Sequence, residues 1–363
     1  MLLFLYGPVS QSLNRGFPTN EYSKKATTEK RFLMIFKKQT ALANTPVGHM
    51  PFSLKIQSES ITGTLFCPFE PRTNLFIQEV QGFGKMWALE KGMVHEGDRH
   101  LCLKLEMGAI DNLCAYSYPE ASLDDLKMAI KWVTWLFVLD DDMDYEDTEI
   151  GRAPEIMAVR NEQLIAILEG NEVHDTSGLA EGLRDFYKDI SAKELPLAPF
   201  IKSARDYLST CVWEADNRKE SQRPLSGSYE RMRLKGGAAH SVFEVGFLME
   251  NMRIPNKLRT NALFSTIAEF ANMAVCLVND IFSCKKELKE GVVENLVILL
   301  QLEQRSAFAE AILETSKRSN KQVESYLDLK ANLHALSTEP SLQILEAWIV
   351  GNLRWSMESQ RYK

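Results

Sequence analysis

From Pro68 onward apolar residues recur at helical spacing, with only short breaks between one periodic stretch and the next. Over Thr73–Lys91 the residues Leu75, Phe76, Val80, Phe83 and Trp87 keep that spacing, which predicts a helix. Pro119 ends the next stretch. Ser122 followed by Asp125 then resembles a capping box, opening a helix that runs through an apolar segment to Asp140. Further helices are predicted over Pro154–Leu168, Gly178–Asp189, Pro199–Glu214, Tyr229–Glu250, Lys257–Lys289, Glu294–Ala335 with interruptions, and Ser341–Gln360. The β-rich scraps, such as Gly63–Phe66, are short, and no repeat or low-complexity tract occurs. The pattern predicts one all-α domain over residues 61–363. Residues 1–60 differ: Ser, Thr, Asn and Pro mix with Arg15, Lys24, Lys25, Lys30, Arg31, Lys37 and Lys38, with little periodicity. They are expected to lie outside the core. They read either as a leader or targeting peptide or as an upstream extension, with Met34 or Met50 as the effective start.

Composition narrows the function classes. The 363 residues are 45% hydrophobic and 25% charged, with a net charge of -7. No uninterrupted apolar run approaches the roughly 18–20 residues of a bilayer span, so no membrane span is expected. The negative balance argues against nucleic acid, which needs a concentrated basic surface. It leaves room for a small anion held by a few local cations. The six cysteines form no C-x-x-C pair and have no histidine at zinc-ligand spacing, so free thiols in a reducing, cytoplasmic setting are expected. The apolar start Met1–Tyr6 lacks a basic region and stops at Gly7-Pro8, a poor fit to a cleaved signal peptide. The six histidines show no triad spacing and read as structural or surface residues.

Two constellations carry chemistry. The segment Leu126–Leu139 is apolar nearly all round and ends in Asp140-Asp141-Asp142-Met143-Asp144. On a helix Asp140 and Asp144 share a face one turn apart, with Asp141 beside them. Converging carboxylates repel one another, and the negative end of the helix dipole adds to that repulsion. A cation would offset both. Oxygen ligands suit Mg²⁺ or Mn²⁺ better than zinc. A solvated acidic loop is the bland alternative, and the core-like residues before it weigh against that. The second constellation follows the apolar run Met273–Val278. Asn279, Ser283 and Glu287 are spaced to form one stripe along a helix, with Lys286 adjoining and able to meet a phosphate.

Taken in this order, Asp140-Asp141-x-x-Asp144, Asn279/Ser283/Glu287 with Lys286, and the C-terminal Arg361-Tyr362 resemble the motif set of class I terpene synthases, particularly microbial and fungal sesquiterpene synthases. Phe137, three residues before the first aspartate, matches that family's F-x-x-D-D pattern. The likeness runs from about residue 64 to the C-terminus. It implies a single-domain helical bundle around a central apolar cavity. It also implies three Mg²⁺ ions, with Mn²⁺ as a substitute, held by the two motifs.

The same resemblance implies an arginine about 46 residues before the Asn of the triad, and Arg233 stands there. On a helix Arg231 and Arg233 point about 160° apart, so only one can face a site, and Arg233 is preferred. Gly237 matches the position whose backbone carbonyl triggers ionisation, and Gly236 stands where many relatives carry an aspartate. Arg361 and Tyr362 would complete a clamp on the diphosphate, although so close to the end of the chain they could equally be a frayed tail. Phe137 and Trp355 are the expected cavity walls; Trp132, Trp135 and Phe282 are expected in the core. The implied activity is ionisation of a prenyl diphosphate, with farnesyl diphosphate expected, and cyclisation to a C15 hydrocarbon or alcohol. The protein would act as a monomer or homodimer. A chain-elongating prenyl diphosphate synthase on the same fold would carry a second aspartate-rich motif, and squalene or phytoene synthases paired D-x-x-x-D motifs. A non-catalytic helical binding protein would be expected to lack some motif residue.

Overall fold

Fourteen α-helices and one short 3₁₀ turn account for the regular structure among the described residues, which in this computed structural model are 65–143, 150–332 and 340–362. The expected boundary near residue 60 lies outside them. No strand occurs among them, including at Leu65 and Phe66.

The first predicted helix is shorter than its periodicity. Gly82 takes φ 78°, a left-handed conformation that costs glycine least, and α1 (Phe83–Glu90) begins only after it. The preceding turns are anchored by Asn74, whose buried amide donates to the carbonyls of Tyr118 and Ala121, both at 2.8 Å. Leu75 is accordingly exposed. Two helices had no clear pattern in the sequence: α2 (Arg99–Gly108), started by the Asp98 carboxylate accepting from the Leu101 amide at 3.0 Å, and α3 (Ile110–Ser117), separated from α2 by left-handed Ala109. At the start of α4 (Leu123–Met143) the Ser122 hydroxyl accepts from the Asp125 amide at 3.2 Å. The reciprocal half of the box is replaced by a 2.6 Å ion pair from Asp125 to Lys193.

Helices α5 (Pro154–Leu168), α6 (Gly178–Ser191) and α7 (Ala198–Lys219) follow where the periodicity puts them. The stretch predicted as one helix over Tyr229–Glu250 is two, α8 (Ser226–Gly236) and α9 (Ala239–Phe247), with left-handed Ala238 between them. Likewise Lys257–Lys289 divides into α10 (Asn256–Arg259) and α11 (Ala262–Glu290), the latter capped by Asn261. Helices α12 (Leu296–Gln304), α13 (Phe308–Asn332) and α14 (Pro340–Glu358) complete the order.

Helix α11 is the centre of the bundle, packed along α13 and α14, while α3 lies on α14, α5 on α7, and α4 against α1, α6 and α9. By length and composition α11 could cross a membrane, but 61% of its most apolar window is buried inside the protein. The densest aromatic packing is around Trp132, which stacks on Trp135 and Phe186, each at 5.2 Å, and meets Phe200 edge-on at 4.8 Å. Trp132 and Trp135 are therefore core, and all six cysteines are free.

Close backbone approach sets one further constraint. A Cβ on Gly178, at the start of α6, would overlap the Gly92 carbonyl group. Gly178→Ala is expected to cost about 1–3 kcal/mol by forcing the two segments apart. Gly227→Ala, where a Cβ meets nothing, should be neutral or slightly stabilising. Thermal unfolding of the two variants checks this; equal midpoints would contradict the close approach.

Candidate active site

Seven helices, α3, α4, α7, α8, α9, α11 and α14, line one cavity of about 870 Å³, its open mouth included. Helix α4 delivers Phe137 and Asp140; the α8–α9 break delivers Arg233, Gly236 and Gly237; α11 delivers Asn279, Ser283, Lys286 and Glu287. Helix α14 adds Trp355, and the residues after it add Arg361 and Tyr362. Residues more than 200 positions apart in sequence thus meet across a single space. Asp141 does not line the cavity, and Asp144 lies outside the described residues.

The polar end is built around Arg233. Its Nη2 donates to Asn279 Oδ1 and lies against Asp280 Oδ1, both at 2.8 Å, and its guanidinium stands 6.0 Å from the Tyr229 ring centroid. Its Nε is buried and makes no hydrogen bond among the described residues. Arg231 is exposed and reaches only Ser228. Asn279 Nδ2 in turn donates to the Tyr362 hydroxyl at 2.9 Å.

Arg361 and Tyr362 form no frayed tail. Arg361 contacts both carboxylate oxygens of Asp141, at 3.2 and 3.4 Å, and sits 4.8 Å from the Phe137 ring centroid. Lys104 of α2 reaches Asp141 from another side at 3.2 Å. Burial alone would raise the Asp141 carboxyl, but the two cations outweigh it and hold it below the usual carboxylate range. Asp140 remains 48% accessible and faces the cavity. Its place inside the fold, away from bulk water, and then the Asp141 charge push its carboxyl up, against Lys286, Arg361 and Arg233. Lys286 itself pairs with Glu290 at 3.0 Å.

No group of three His, Cys, Asp or Glu stands ready as a metal cage among the described residues. The donors that do converge are an amide, a hydroxyl and a carboxylate on α11, with Asp140 on α4. That all-oxygen set fits Mg²⁺, which commonly takes one or two protein carboxylates and keeps waters and substrate phosphates as its other ligands. Burial and the neighbouring Asp280 push the Glu287 carboxyl up to about 7, the cost of a negative charge that a cation would offset.

Beside these polar groups the wall is aromatic and aliphatic. Phe137 and Trp355 meet edge-on at 5.8 Å, and Trp355 meets Tyr362 at 5.5 Å. The Trp355 indole is fixed by donating to the Gly108 carbonyl at 2.6 Å. Phe282, expected in the core, is buried but approaches Tyr362 at 6.4 Å, directly behind the wall. Gly237 has an ordinary φ of −76°; it is glycine because a Cβ there would overlap Cys276 Sγ. Gly236 has a similar cause: a Cβ would come within 2.7 Å of Thr210 Cγ2, which leaves no room for an aspartate.

Residues beyond the motif set also shape the site. Tyr229 donates to Asp280 at 3.0 and 3.1 Å and helps hold the carboxylate that holds Arg233. It lies one helical turn before Arg233, so the shared face was readable from spacing. Glu214 of α7, beside Glu294, is pushed up to about 8 by burial first and that neighbour second.

The family described as terpene synthase family 2, C-terminal metal binding, matches residues 131–325, just over half of the chain and the whole span from α4 to most of α13. The chain belongs to the class I terpene synthases. Germacrene A synthase of Nostoc punctiforme is 27% identical over 313 residues, covering 82% of this chain and 94% of that one. (+)-T-muurolol synthase of Roseiflexus castenholzii is 30% identical over 289 residues, covering 76% and 86%. Both relatives are bacterial, which leaves the narrower likeness to fungal enzymes without support from them. The fold matches germacradien-4-ol synthase from Streptomyces citricolor with a TM-score of 0.69 at 23% identity, covering 81% of this chain and 98% of that one. The protein is a terpene synthase, and its family membership implies use of a divalent metal.

A metal can bind the Glu287 carboxylate only after the proton leaves. With that group near 7, metal and proton compete across neutrality, and metal binding strengthens as pH rises. The Mg²⁺ concentration giving half-maximal rate should fall by about tenfold between pH 6 and pH 8, following the ionised fraction of such a group. A requirement flat across that range would contradict the assignment of Glu287 as a ligand.

Proposed function

We propose that this terpene synthase is a Mg²⁺-dependent sesquiterpene cyclase that ionises farnesyl diphosphate and folds the resulting cation into a C15 product. The observation that carries the reading is the division of one cavity into a polar end, with Arg233, Lys286 and Arg361 beside four oxygen donors, and an aromatic wall. Farnesyl diphosphate is named as the compound cyclised by the (+)-T-muurolol synthase relative and also by the 4-epi-cubebol synthase of Streptosporangium roseum. A chain-elongating enzyme of the same fold is disfavoured, because Asn279 and Ser283 stand where it would present aspartates.

In this reading Asp140, with Asp144, and the α11 set Asn279, Ser283 and Glu287 would hold the divalent cations that bind the substrate diphosphate. Divalent cations bound there supply Lewis-acid stabilisation of the charge that develops on the leaving group. Arg233, Lys286, Arg361 and the Tyr362 hydroxyl donate to the phosphate oxygens, and fixed donors of this kind stabilise the departing charge without reorganising. The allylic C–O bond then breaks heterolytically, its electron pair leaving with the diphosphate. The Gly237 carbonyl region lies beside the carbon that becomes cationic. Phe137 and Trp355 offer ring faces to that cation, worth roughly 0.5–2 kcal/mol each when desolvated. The apolar wall keeps water from capturing the cation early. Loss of a proton or addition of one water ends the sequence as hydrocarbon or alcohol.

Purified protein incubated with farnesyl diphosphate and Mg²⁺ should yield a C15 product by gas chromatography–mass spectrometry, and EDTA should abolish it. Asp140→Ala and Asn279→Ala should remove turnover while leaving the helical circular dichroism intact. Arg233→Ala should lower kcat/KM by roughly 10²–10³-fold, the cost of removing one transition-state donor. Arg231→Ala should change little, and the reverse order of the two arginines would sink the assignment.

A further inference from the structure

Asn295 is fully buried, lies outside the motif set, and precedes α12 as its N-cap. Its Oδ1 accepts from the amides of Val297 at 2.9 Å and Ile298 at 3.4 Å. That capping role settles which way the side chain faces: with the oxygen turned to the helix start, the Nδ2 group must turn toward α11. There it donates to Glu287 Oε2 at 2.7 Å and to the Asp280 carbonyl at 2.8 Å, and lies 3.3 Å from Ser283 Oγ. One amide therefore touches two of the three oxygen donors of the α11 stripe and the backbone of the helix that carries them.

A carboxylate has free rotation about its last bond, and a hydroxyl rotates freely about its own. Neither is oriented by its helix alone. The Asn295 amide removes that freedom. It does so without offering an oxygen to a cation, because its own oxygen is committed to α12.

We infer that Asn295 is a positioning residue for the metal site: it presents Glu287 and Ser283 to a divalent cation in a preset geometry, coupling the start of α12 to metal affinity. This rests on the reading of Asn279, Ser283 and Glu287 as metal ligands. Partners that orient ligands without touching the metal commonly contribute 10–100-fold to affinity. That is the scale of the expected effect.

Serine caps a helix about as well as asparagine but cannot reach α11 with an amide. In Asn295→Ser the helix start is kept and the ligand contacts are lost. Binding of Mn²⁺ in the presence of inorganic diphosphate is read from loss of the free Mn²⁺ electron paramagnetic resonance signal, beside a thermal unfolding curve. The expected result is cooperative unfolding with Mn²⁺ binding weakened by roughly 10–100-fold, and a matching rise in the Mg²⁺ needed for half-maximal turnover. Asn295→Thr, another cap-competent variant, should do the same. Mn²⁺ binding unchanged in either folded variant would overturn the inference. Failure of both variants to fold would assign the residue to the fold alone and overturn it equally. Wild-type protein that binds no Mn²⁺ with diphosphate would overturn the metal-ligand reading itself, and this inference with it.

Discussion

A carboxylate taken out of water must find its partners inside the protein or lose its charge, and Asp280 on α11 is that case here, at 1% exposure. It is met by the Arg233 guanidinium at 2.8 Å, by the Tyr229 hydroxyl at 3.0 and 3.1 Å, and by the Leu296 amide at 3.0 Å. These partners come from α8 and from the start of α12, so one buried charge ties three helices together at the cavity. Removing one member of a buried pair typically costs about 3–5 kcal/mol, because the other is left uncompensated. The position of Arg233, the end of α8 before its break, and the placement of Asn295 all follow from this arrangement.

The polar end of the cavity is compensated by its own residues. Arg361 and Lys104 hold Asp141, Lys286 holds Glu290, and Asn279 links Arg233 to Tyr362. Asp140 and Glu287 are exceptions: both carboxyls are pushed up, and Glu287, although Asn295 gives it a hydrogen bond, reaches about 7. A site in this condition favours an incoming pair of opposite charges, an anion for the guanidinium groups and cations for the carboxylates. A Mg²⁺-bound diphosphate is such a pair. The aromatic wall is tied down by the Trp355 contact to Gly108.

Much of this was readable from spacing. The helices α4 to α7 follow a clear periodicity, and the triad on α11 shares a face because its residues are one turn apart. Other features depend on contacts between segments and leave no local trace. α2 has a cap but a mixed apolar and charged face, and its Lys104 acquires meaning only when Asp141 arrives beside it. The break between α8 and α9 was visible as paired glycines. Their reason was not: Cys276 and Thr210 from neighbouring helices occupy the space a Cβ would need. Asn295 was not singled out in the sequence, because the side it shows to α11 is set by tertiary packing. Asp141 was read with its neighbours as a ligand, whereas it pairs with Arg361 and Lys104 and does not line the cavity.

The most direct test of the account is a crystal structure with Mn²⁺ and inorganic diphosphate, with the metal located by anomalous scattering. The account predicts Mn²⁺ at Asp140 and at Asn279, Ser283 and Glu287, with the diphosphate within hydrogen-bond reach of the Arg233 and Arg361 guanidinium groups. Mn²⁺ found only on surface carboxylates, or diphosphate bound away from Arg233, would contradict it.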